Sequence, residues 1–131
     1  MTVRIKQKLT NFTNALLQLE NALNEPLDKK RLALDATIQR FEFSYELFWK
    51  ILKVLLEQEG IEANTPRQVF QEAYRARWLD NEQLWLEMMK DRNTTTHVYN
   101  EKIALEIYQH IKTYFPFMKK ICIEINNKFK E

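Results

Sequence analysis

The chain has 131 residues, 45% of them hydrophobic, with three prolines and one glycine, which is the size of a single domain (1–131) that buries roughly two-thirds of its unfolded surface without disulfides or structural metal. Cys122 is the only cysteine and His97 and His110 the only histidines, so an internal disulfide and a four-ligand zinc site are excluded, and Gly60 alone cannot build a phosphate-cradling loop. The balance of 20 Lys+Arg against 18 Asp+Glu, a net charge of +2, is too small by itself to imply nucleic-acid binding, which needs clustered cations.

Ile5, Leu9, Phe12, Leu16, Leu19 and Leu23 recur at steps of four and three, predicting a first helix to about Asn24 that Pro26 ends. Its polar start carries no signal-peptide apolar region, and no apolar run in the chain approaches the ~20 residues that span a bilayer, so the expected address is the cytoplasm, without a membrane. Leu34, Ile38, Phe41, Tyr45, Phe48, Leu52 and Leu55 predict a long second helix that Gly60 stops. Phe43, Leu47, Trp49, Ile51, Val54 and Leu56 widen its apolar surface beyond one face, implying a second buried face, for which another subunit is one candidate partner.

Thr65 and Pro66 open a short third helix as N-cap and first helical residue, bearing Val69, Phe70, Ala73 and Tyr74. Asp80 is read as the cap of a fourth, with Gln83 in the capping-box position and Leu84, Trp85, Met88 and Met89 on its apolar side. A fifth starts near Asn100 with Ala104, Ile107, Ile111 and Tyr114, and Pro116 is expected to break or kink the chain before a last helix with Phe117, Ile121 and Ile125. With no alternating strand pattern, the expected fold is all-α, an antiparallel up-and-down four-helix bundle with additional short helices.

The segment Asp91 to Asn100 departs from good helical design, because three threonines in a row crowd the preceding turn and compete for backbone hydrogen bonds. Arg92 continues the row of Leu84 and Met88, placing a charge on an apolar line, and Asn93 and His97 form a polar file facing one cavity. Arg92 and His97 stand about 140° apart around an ideal helix, so they converge only through helix termination or across a dimer seam. Without metal or cysteine, these residue types suit phosphoryl-group chemistry. A neutral imidazole takes a proton from a ribose 2′-hydroxyl, a second imidazole from the partner of a homodimer protonates the leaving oxygen, and arginine forks onto the developing charge. Spacing alone favours a plainer reading, with Arg92 in an ion pair and His97 at a helix end.

The runs Ile38 to Lys50, Thr65 to Phe70, Leu84 to Asn93 and Thr96 to Glu101, in that order, resemble the nucleotidyltransferase substrate-binding protein family of the HEPN superfamily. The resemblance implies a dimeric four-helix bundle paired with a separately encoded minimal nucleotidyltransferase, and binding of RNA or a nucleotide. Some HEPN proteins are ribonuclease toxins with Arg-x4-His as the active site, silenced by AMP transfer to the tyrosine of Arg-x4-His-x-Tyr. On that pattern Arg92 and His97 are the catalytic candidates and Tyr99 the modification candidate, with no metal or other cofactor, and Asn93 joins the catalytic candidates through the polar file it forms with His97. Tyr99 also suits an interfacial aromatic.

Arg67, Arg75 and Arg77 are either a phosphate-tracking patch or, with Glu72 three residues before Arg75, a solvated mixed face, the plainer of the two. Trp49 and its aromatic neighbours read as core, and His110 and Cys122 carry no assigned role. Besides the ribonuclease, two readings remain: an accessory subunit presenting substrate to a nucleotidyltransferase, and a helical scaffold. No nucleotidyltransferase signature occurs in the chain, so transferase chemistry belongs to the partner.

Overall fold

A computed structural model of the chain describes residues 3–27, 31–95 and 100–128. Among the described residues there are five helices, α1 (Val3–Leu23), α2 (Arg31–Gln58), α3 (Pro66–Arg75), α4 (Glu82–Thr95) and α5 (Glu101–Lys128), and no strand.

Cross-helix pairs give the directions. Phe12 stacks on Phe48 while Arg40 reaches the Gln18 carbonyl, so α1 and α2 are antiparallel. Trp85 meets Phe48 and Arg92 meets Glu42, so α2 and α4 are antiparallel too. Asp91 pairs with His110 while Trp85 lies edge-on to Phe117, reversing direction again into α5, and α5 closes against α1 through Cys122 with Thr13 and Lys119 with Glu20. The chain is thus an up-and-down bundle of α1, α2, α4 and α5, with α3 as the short addition.

All seven residues of the predicted α2 stripe are buried. Ile51 and Leu56 from the second apolar face are buried as well, and Leu47, Trp49 and Val54 are partly covered, because α2 packs against α1, α3, α4 and α5. Most of that face is therefore used within the chain, and Phe43, 60% exposed, is the large residue left out.

Local chemistry ends the helices. At the C-terminus of α2, Gly60 adopts φ +79°, with Ile61 N–H donating to the Leu56 carbonyl and Gly60 N–H to Glu57, a Schellman closure that needs the left-handed conformation. Thr65 caps α3 by accepting from Gln68 N–H, while the Gln68 side chain accepts from Asn64 N–H.

Two expectations are corrected. The cap of α4 is Asn81, not Asp80: Asn81 sits at φ +61°, which asparagine tolerates, and its side chain accepts from Leu84 N–H, while the Asp80 carbonyl takes the indole N–H of Trp85. Gln83 bonds forward to Glu87 rather than back to a cap. Pro116 does not end the last helix, since α5 runs through it for 28 residues. Proline deprives the Lys112 carbonyl of a partner, but both residues lie on the exposed side of α5. The stripe Ile111, Tyr114, Met118, Ile121 and Ile125 is buried continuously across the break and offsets its cost.

Phe48 is fully buried, so Phe48→Ala should lower the free energy of unfolding by about 3–5 kcal/mol. Urea denaturation measures this, and a loss under about 1 kcal/mol would place the ring outside the packed core.

Candidate functional site

The buried row of α4, Leu84, Trp85 and Met88, is continued one turn on by Arg92, whose side chain is only 21% exposed. Its guanidinium faces α2. Nη1 lies 3.4 Å from Glu42 Oε2, and Nε lies 3.9 Å from Glu46 Oε2, too far for a hydrogen bond, leaving that buried nitrogen without one. The same Glu42 oxygen accepts from the Thr95 hydroxyl at 2.5 Å, and that hydroxyl also reaches the Arg92 carbonyl at 2.7 Å. Glu42 therefore ties the guanidinium to the last turn of α4. Glu46 takes the Trp49 indole N–H and lies 3.8 Å from Lys50. Burial first, and then the Glu46 charge, push the neighbouring Tyr45 phenol well above its ordinary range against the opposing pull of Arg92, so it stays protonated.

Asp91 faces the other way, towards α5. Its Oδ2 accepts from the Tyr114 hydroxyl and lies 2.9 Å from His110 Nδ1. Burial pushes the Tyr114 phenol up strongly, and the bond to Asp91 adds to the shift, with smaller contributions from the Asp91 and Glu87 charges. These residues share a cavity of about 320 Å³ with Leu84, Lys90 and Thr113.

Asn93 is exposed and takes a third direction. With Arg67, Gln83, Glu87, Lys90 and Thr94 it lines an open cleft of about 530 Å³ between α3 and α4. Arg92 and Asn93 thus serve different surfaces, although they are neighbours in sequence. His97 and Tyr99 lie outside the described residues; they belong to the 96–99 segment between Thr95 and Asn100, and Asn100 caps α5 by accepting from Lys102 and Ile103 N–H.

The three arginines of α3 and its end are not brought together. Arg67 joins the Asn93 cleft, whereas Arg75 pairs with Glu72 at 3.2 Å with its side chain 76% exposed. Arg77 sits at φ +68° and lines a separate cavity of about 330 Å³ with Leu52, Trp78, Ile125 and Lys128. Among the described residues no group of three or more His, Cys, Asp or Glu is placed to hold a metal ion. No helix among them is long and apolar enough to cross a membrane.

Sequence reasoning attached no role to Glu42, Glu46, Thr95, Asp91 or His110. Two carboxylates four apart beside a buried stripe were the available signal, but Arg92 lies 50 residues beyond Glu42.

A family model described as nucleotidyltransferase substrate binding protein like matches residues 7–127. The chain belongs to this family. The probable ribonuclease HepT of Haemophilus influenzae is 32% identical over 79 residues, which are 56% of this chain and 54% of that protein. The chain thus spans about half the length of this curated relative. A crystal structure of a protein from Thermus thermophilus superposes with a TM-score of 0.76 at 34% identity, over 84% of this chain and 94% of the other. The Haemophilus influenzae protein HI0074, described as having the fold of a substrate binding domain of a nucleotidyltransferase, shares the fold at a TM-score of 0.69 and 22% identity, over 93% of this chain and 96% of its own. The family description ties this fold to nucleotidyltransferases.

The phenols of Tyr45 and Tyr114 are both held up by the fold, whereas in the unfolded chain they ionise near pH 10. Their contribution is therefore complete below about pH 10 and is lost as pH rises beyond it. Denaturation at stepwise alkaline pH should show this decline, with a shallower slope in Tyr114→Phe, which at neutral pH also loses roughly 1.5–3 kcal/mol with its bond to Asp91. Equal slopes in the two proteins would remove Tyr114 from the account.

Proposed function

We propose that this protein is the partner of a separately encoded minimal nucleotidyltransferase and acts in the cytoplasm as a metal-independent HEPN ribonuclease toxin, silenced by AMP transfer to Tyr99. The observation that carries this reading is the half-buried guanidinium of Arg92, held at the end of α4 immediately before the segment that contains His97 and Tyr99. A charge set into an apolar row is costly, and a site that binds phosphate gives it a purpose. The likeness to a protein described as a probable ribonuclease supports the same direction.

In this mechanism His97 takes the proton of a ribose 2′-hydroxyl, whose oxygen attacks the adjacent phosphorus. Arg92 stabilises the charge on the pentacoordinate phosphorane, and the departing 5′-oxygen receives a proton from the imidazole of a second protomer. The products are a 2′,3′-cyclic phosphate and a 5′-hydroxyl, formed without metal. Asn93 and Arg67, on the cleft beside α4, hold the RNA backbone, and Arg75 and Arg77, which lie apart from that cleft, take no part in this mechanism.

The family description favours a second reading, a non-catalytic subunit that presents a nucleotide or other substrate to the nucleotidyltransferase. The Arg67, Lys90 and Asn93 cleft is then its binding surface. Incubation with total RNA, with and without EDTA, separates the two. The ribonuclease gives EDTA-resistant cleavage that Arg92→Ala and His97→Ala each reduce at least about a hundredfold. Intact RNA with folded, unmodified wild-type protein selects the presenting subunit. Coexpression with the nucleotidyltransferase should add AMP to Tyr99, and not to Tyr99→Phe, by peptide mass spectrometry.

A further inference from the structure

In the structure the Arg92 guanidinium already faces a carboxylate through Nη1, although its Nε makes no hydrogen bond. Its nearest counter-ion is Glu42 at 3.4 Å, and Glu46, shared with Trp49 and Lys50, stands behind it. A phosphate oxygen approaching Nη1 meets the Glu42 carboxylate already there, with both side chains less than a third exposed, so that charge counts. The Thr95 hydroxyl holds the carboxylate in place by donating to the oxygen that faces Arg92. Glu42 also links two elements, so that release of Arg92 and loosening of the final turn of α4, next to the 96–99 segment, are one event.

We infer that Glu42 is a gating residue, an internal anion that occupies Arg92 until the phosphate backbone of RNA displaces it. The inference rests on the phosphate-binding role proposed for Arg92 and adds a threshold to it. Only a ligand presenting several phosphates, with some held by Arg67 and Lys90, supplies enough binding energy to exchange the carboxylate. A single free phosphate is a poor competitor.

The test is binding of a fluorescently labelled single-stranded RNA, read by polarisation, to wild type, Glu42→Gln, Arg92→Ala and the double variant. Glutamine is isosteric and keeps an acceptor for Thr95 while removing the charge. Glu42→Gln should bind about tenfold more tightly than wild type, and the gain should vanish when Arg92→Ala is also present. Thr95→Val, which leaves both charges and removes only the hydroxyl that steadies Glu42, should show a clearly smaller gain than Glu42→Gln. Affinity unchanged or weakened in Glu42→Gln overturns the gate, as does an equal gain in Thr95→Val, which would point to loosening of the helix end instead.

Should no form bind RNA, the proposed function fails on its own account, and the gate is decided by phenylglyoxal modification of Arg92, read by mass spectrometry with and without inorganic phosphate. The gate requires faster modification in Glu42→Gln and protection by phosphate in that variant alone. Equal rates in the two proteins overturn it.

Discussion

The ring of Phe48 is where the helices agree on their positions. It is fully buried, stacked on Phe12 from α1 at 5.3 Å, against Phe70 from α3 at 5.9 Å and against Trp85 from α4 at 5.2 Å. Aromatic contacts of this kind bury large areas and favour particular ring arrangements, so one side chain sets the rotation of three neighbours around α2. Trp85 is fastened from the other side by Phe117 of α5 and by the carbonyl of Asp80. With α2 and α4 antiparallel and fixed at Phe48 and Trp85, the next turns along both are fixed as well, and they bring Glu42 and Glu46 opposite Arg92.

That polar junction costs stability. Partial desolvation of a guanidinium and two carboxylates is repaid only through close pairing and further hydrogen bonds, and here one guanidinium nitrogen has no such bond. Hydrophobic residues of similar volume would hold α2 and α4 together at least as well. The retention of charge at this depth, at the end of a helix whose preceding row is apolar, is therefore an argument for chemistry rather than architecture.

Three consecutive side chains at the end of α4 address three surroundings: Asp91 the α5 side, Arg92 the α2 side and Asn93 the open cleft with Arg67 and Lys90. Successive helical residues are rotated by about 100°, so this divergence is inherent in placing the motif on a helix. It gives one turn both an anchored cation and a residue on an open, solvent-facing cleft. The family to which the chain belongs is described as nucleotidyltransferase substrate binding protein like, and both proposed readings place their ligand contacts on this turn.

The sequence by itself determined which stretches are helical, most of their ends and the buried stripe of α2, though it divided α5 in two at Pro116, because 3.6-residue periodicity, an N-cap threonine before proline and a left-handed glycine all act within a few residues of chain. It also singled out Arg92 as a charge on an apolar line. It misjudged Asp80 and Pro116, where a neighbouring asparagine took the cap and a buried stripe outweighed a broken backbone bond. Tertiary structure alone decided that Arg92 meets Glu42, that Asp91 joins His110 and Tyr114, and that Arg67 and Arg77 line separate cavities. Those pairings depend on the axial offset and rotation of one helix against another, which side-chain packing around Phe48 sets and no local pattern encodes.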